Sequence, residues 1–140
     1  MSKIIEKQLI DNSLYLEDWA VAWDNKLVEN PFEAMKSDFE NYDGKSIRDD
    51  IEIIVAYYSY EDYSGDALVI YKENGNLYEV TGGHCSCYGL EGQWEPEEIN
   101  KEYILHKINE GRWLYYEVEV NKIINNHLIK VLNLKENDNE

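Results

Sequence analysis

Apolar residues recur at three- and four-residue spacing through the first third of the chain. Leu16, Trp19, Ala20, Trp23 and Leu27 fall on one helical face, the spacing of an amphipathic helix. Residues 3–10 form a shorter helical candidate, and Asp11-Asn12-Ser13 supplies turn or cap chemistry between the two. Asn30-Pro31 ends the longer pattern. Pro31 suits the first turn of a further helix, on which Phe32, Met35 and Phe39 share a stripe until Asp43-Gly44 stops it. The spacing predicts a helical part over 1–50.

The pattern changes at residue 51. Residues 51–60, IEIIVAYYSY, are rich in β-branched and aromatic side chains and predict a buried strand. Residues 61–65 read as a turn and Ala67–Lys72 as a second strand, and the Asn74-Gly75 pair favours a tight hairpin into Leu77–Thr81. Residues 51–81 thus predict an antiparallel meander. Pro96 opens a helix through Asn109, with Ile99, Tyr103, Ile104 and Ile108 inward and Gly111 as its stop. In 112–120 the alternation of Leu114, Tyr116, Val118 and Val120 predicts a strand, followed by a helix carrying Ile124, Leu128, Val131 and Leu132. The fold class expected is a single α+β domain over 1–134: N-terminal helices, an antiparallel sheet of three or four strands, and C-terminal helices. The charged tail 135–140, with no apolar anchor, is expected to be disordered.

A chain of 140 residues buries enough surface to fold without a metal or a disulfide, so any metal has to be argued from its own ligands. No apolar run has the length of a membrane span, and the N-terminus lacks the apolar stretch and cleavage site of a leader. A soluble protein of the bacterial cytoplasm is expected, with no membrane partner. The net charge is −16. Direct binding to nucleic acid is therefore disfavoured, because phosphate contacts recruit Lys and Arg, and a basic partner is favoured.

Residues 80–96 concentrate the candidate chemistry. Gly82, Gly83, Gly89 and Gly92 are four of the eight glycines, and they surround both cysteines and His84. His84, Cys85 and Cys87, with His106 on the following helix as a fourth ligand, form a candidate tetrahedral zinc site. The H-C-x-C spacing is tighter than the usual zinc knuckle. Alternatively Cys85 or Cys87 is a nucleophile with His84 or His106 as its base, or the two are a redox pair. Cysteines one residue apart rarely close an unstrained disulfide. The remaining reading makes both cysteines small buried hydrophobes.

Three runs carry a family resemblance: Tyr57 to Ala67 (YYSYEDYSGDA), Leu77 to Val80 (LYEV) and His84 to Glu98 (HCSCYGLEGQWEPEE). Together they resemble a signature of small uncharacterised proteins of tailed phages and prophages. The resemblance implies a phage origin and no particular activity. The N-terminal 50 residues fall outside it and are one place for target recognition.

Ten acids lie between residues 29 and 62 against Lys36, Lys45 and Arg48, and a second acidic group is Glu91, Glu95, Glu97, Glu98 and Glu102. Carboxylates on a rigid scaffold can enter a basic groove by the electrostatics that nucleic acid uses; the plain reading is a solvated acidic face. Twelve tyrosines and four tryptophans exceed what such a core needs, and Tyr and Trp are favoured interface anchors. The expected function is a non-enzymatic, acidic, phage-type protein that binds and inhibits a host defence factor acting on nucleic acid, of the anti-CRISPR or anti-restriction kind. Its contact residues are expected to be Glu33, Asp38, Glu40, Asp49, Asp50, Tyr60, Glu61, Asp62 and Tyr63. No cofactor is expected under this reading. The alternative is a small zinc protein, structural or hydrolytic, built on the His84/Cys85/Cys87 loop.

Overall fold

The computed structural model describes residues 5–22, 24–40, 47–59, 65–84, 89–110, 113–114 and 117–134. They fall into two compact units, Met1–Glu98 and Ile99–Glu140. Chain order is β1 (Lys7–Ile10), β2 (Ser13–Glu17), α1 (Pro31–Phe39), β3 (Glu52–Tyr58), β4 (Gly65–Glu73), β5 (Asn76–His84), β6 (Glu97–Ile99), α2 (Lys101–Glu110) and α3 (Val118–Val131).

The strands make one six-stranded sheet in sequence order, and β2 runs parallel to β3 while the pairs β1/β2, β3/β4 and β4/β5 are antiparallel. This mixed sheet corrects the expected antiparallel sheet of three or four strands. It also corrects the helical N-terminus, because residues 7–17 form a β-hairpin and α1 is the one described helix before β3. The cause is burial on both faces. Leu14, Tyr15 and Leu16 are consecutive and all buried, as in a strand next to a parallel neighbour, so β2 shows no alternation to read. Trp19 and Ala20 do reach the core, but from a turn. Glu17 starts that turn with φ +59, and its carbonyl accepts from the N–H groups of Ala20 and Val21.

A parallel pair needs a crossover, and α1 lies within it. Asn30 caps α1 by accepting from the Glu33 N–H (3.2 Å), Pro31 fills its first turn, and Met35 and Phe39 face the core. These elements match the sequence pattern. So does the β4/β5 hairpin, where Asn74 (φ +54) and Gly75 (φ +83) take the left-handed conformations of a type I′ turn.

One core packs α1 and residues 19–20 against the sheet face that carries Tyr15, Ile53, Ala56, Val69, Tyr71 and Val80. Its rings stack in series: Trp19 on Tyr58 (5.0 Å), Tyr71 on Tyr78 (5.3 Å) and Tyr71 on Trp94 (5.4 Å), with Phe39 edge-on to Trp94 (5.1 Å). Tyr71 and Tyr78 are register partners on β4 and β5, so this tyrosine pair braces the sheet. Tyr57 is buried as well.

In the second unit, Ile104, Ile108, Leu114, Val120, Ile124, Leu128 and Leu132 are buried. The strand expected over 112–120 is corrected, since α3 starts at Val118. Val118 is exposed while Val120, Ile124 and Leu128 are buried, so the period there is helical and the apparent alternation came from the helix start. The helix expected from Pro96 begins instead at Lys101, after β6.

Candidate functional site

The turn of the β1/β2 hairpin and the start of β3 shape a cleft of about 400 Å³ lined by Asp11, Asn12, Ser13, Tyr15, Phe32, Asp49, Ile51, Glu52 and Ile53. Local chemistry builds it. Asp11 takes φ +55 to turn the chain, and the Ser13 hydroxyl donates to the Ile53 carbonyl, which lies at a register shift between Ile53 and Val55. Phe32 comes from the first turn of α1.

Carboxylates crowd this region. Asp49 is exposed and binds Lys36, whose ammonium lies 3.7 Å from Glu33 and 5.5 Å from the Phe32 ring centroid. Arg48 donates to Asp50 at 3.0 and 2.7 Å and lies 3.3 Å from Glu73. Each cation is thus shared by two carboxylates. The Asp49 hydrogen bond raises the Lys36 pKa, the Asp50 hydrogen bond raises that of Arg48, and Arg48 in turn lowers that of Asp50. These directions hold all three in their usual charge states at neutral pH. Burial pushes Tyr15 up to about 12, so the phenol on the cleft wall stays neutral there.

The expected contact residues divide. Glu33, Asp49 and Asp50 project into solvent. Asp38 and Glu40 serve the fold: Asp38 accepts from the Trp19 indole N–H (2.7 Å), and Glu40 from the Ile47 N–H (3.2 Å). Tyr60, Glu61, Asp62 and Tyr63 lie outside the described residues. The structure adds Asp11 to the cleft, which a helix and cap over 3–13 hides and a hairpin turn at Asp11-Asn12 reveals, and it draws in Glu52 from the acidic run of 29–62 although Glu52 is not among the expected contact residues.

Of the candidate zinc ligands, Cys85, Cys87 and the His84 side chain lie outside the described residues. His106 is on the exposed side of α2, its Nε2 3.2 Å from Glu110. Among the described residues, no group of three His, Cys, Asp or Glu is placed to hold a metal. What is described is the base of the loop. The Gln93 side-chain carbonyl accepts from the Gly83 N–H (2.9 Å), and its amide donates to the carbonyls of Gly83 and Gly89 (2.7 Å each). Gln93 so acts as a peptide unit added to the end of β5, closing 83–93 into a loop. Gly82 leaves little room for a side chain: an added Cβ would lie 3.1 Å from the side chains of both Gln93 and Leu90, which would have to give by a few tenths of an ångström.

No family model, curated protein or solved structure matches the chain. No helix among the described residues is long and apolar enough to cross a membrane.

Proposed function

We propose that this chain is a non-enzymatic, acidic, phage-type protein that occupies the basic nucleic-acid groove of a host defence protein, such as a nuclease, and blocks it. One observation carries this reading. Asp11, Asp49 and Glu52 line a single cleft, Glu33 reaches the same lysine as Asp49, and the nearby cations Lys36 and Arg48 are already shared among carboxylates. Net negative charge therefore remains at this surface, on a chain whose net charge is −16. Such a field attracts Lys- and Arg-rich grooves and repels phosphate. Phe32 and Tyr15 on the cleft wall add apolar surface against which the stem of a lysine or arginine can pack. The phage resemblance of the 57–98 runs supports placing the partner in host defence.

The test is capture of partners from a bacterial lysate by the tagged chain, then competition of each recovered protein with duplex DNA. The expected partner is a basic nucleic-acid-binding protein that DNA displaces. Partners that DNA leaves in place, or recovery of virion proteins alone, would overturn the reading.

A further inference from the structure

The sheet ends on β1 at one side and β6 at the other, and the two edges differ. β6 has three residues, two of them Glu97 and Glu98, and short charged edges resist further pairing. β1 is longer and carries the exposed Leu9 (59%) and Ile10 (41%). Leu27 is also exposed, and it adjoins Val28, whose carbonyl accepts from the Gln8 side chain (3.1 Å); the same amide donates to the Ala20 carbonyl (3.0 Å). So, among the described residues, three of the four exposed large hydrophobics lie on β1 or on the segment that the Gln8 side chain ties to it.

The register decides which main-chain groups face outward. The Glu17 N–H donates to the Glu6 carbonyl (2.8 Å), and Gln8 and Ile10 stand opposite Tyr15 and Ser13. Hydrogen-bonded pairs alternate in an antiparallel ladder, so Glu6, Gln8 and Ile10 face β2. Lys7 and Leu9 turn their N–H and C=O groups away from the sheet.

We infer that the outer edge of β1 binds an extended, cationic segment of a partner protein by strand addition, with its apolar side chains on the Leu9 face of the sheet and its basic ones on the opposite face beside Glu6. Main-chain bonds to Lys7 and Leu9 supply register, and the side chains supply selectivity. A second copy of the chain is disfavoured as occupant because each copy carries −16. The inference rests on the basic-partner reading and adds a second contact surface to the acidic cleft.

The probe is a short end-blocked peptide alternating lysine with valine, beside the same peptide with proline for every valine, which keeps the charge but cannot form a ladder. The Leu9→Pro variant removes an outward N–H and leaves the β1/β2 bonds intact, as edge strands tolerate. Leu9→Lys keeps the backbone and serves if Leu9→Pro fails to fold. The expected result is that the valine peptide slows exchange of the Lys7 and Leu9 amides by about tenfold or more. Its binding weakens by a similar factor in either variant, and the proline peptide binds weakly to all forms. Equal binding of both peptides, unchanged in the variants, overturns strand addition and leaves the basic-partner reading standing. No binding of either peptide at low salt overturns strand addition, while the cleft reading stands or falls by partner capture and competition with DNA. Self-association that Leu9→Pro abolishes makes a second copy the occupant and also overturns the inference.

Discussion

Asn121 is buried (3% exposed), and its side chain serves the main chain ahead of α3. Its oxygen accepts from the N–H groups of Trp113 and Leu114 (2.8 and 2.9 Å), and its amide donates to the Leu114 carbonyl (2.9 Å). Replacement by alanine strands these groups, and buried polar groups without partners are costly. Asn121→Ala should lower unfolding free energy by about 2–3 kcal/mol in urea titrations; a loss below about 0.5 kcal/mol would mean water satisfies the segment instead. Two tyrosines offer a second test. Burial is the main reason that both Tyr15 and Tyr71 are pushed up from the ordinary tyrosine value to about 12. The folded state therefore keeps these protons after the unfolded chain has released them. The stability linked to them is fully present below pH 10 and is lost as pH rises toward 12. Absorbance titration should show a late tyrosinate phase that shrinks in Tyr15→Phe. If all tyrosines ionise in one step near pH 10, Tyr15 is not shielded.

At the level of elements, Gln93 replaces a missing strand residue at the end of β5 through its bonds to Gly83 and Gly89. Gln93→Ala should raise hydrogen exchange at the Gly83 amide by about tenfold or more while the Val69 and Val80 amides, deeper in the ladder, stay protected. Unchanged Gly83 exchange would show that the loop closes without the clamp. The core of the first unit is apolar and aromatic, so EDTA should leave the unfolding midpoint unchanged. A fall of several degrees that Cys85→Ser/Cys87→Ser abolishes would place a structural metal on the His84/Cys85/Cys87 loop. Which elements could be read follows from how many of their faces are buried. α1 has one buried stripe and a clear cap, and the β4/β5 hairpin has its Asn-Gly turn, so both are visible in sequence. β2 is buried on both faces, and its run into Trp19 and Ala20 imitates a helical period. The start of α3 erred the other way: Leu114 and Val120 belong to different local structures, yet their spacing imitates a strand. The cleft was half legible. Asp49 and Glu52 belong to an acidic run visible in the sequence, whereas Asp11 joins them only through the hairpin and the parallel pairing of β2 with β3.

At the scale of the whole molecule, the sequence states the charge but not its disposition. Asp38 and Glu40 count toward −16 yet are spent on Trp19 and Ile47, while Glu33, Asp49 and Asp50 remain outside. Self-repulsion of this charge opposes the compact state and is screened by salt. The unfolding midpoint should therefore rise as sodium chloride increases from about 0.01 to about 0.5 M; a fall would mean that ion pairs such as Lys36 with Asp49 outweigh the repulsion. The same screening acts on binding, where attraction takes the place of repulsion. The most direct measurement is the affinity for the captured basic partner across salt from about 0.05 to about 0.5 M, with Asp49→Lys/Asp50→Lys beside the native chain. Charge-led occupation of a nucleic-acid groove predicts a loss of about a hundredfold or more over that range and a shallower slope for the double variant. An affinity indifferent to both salt and charge reversal would contradict it.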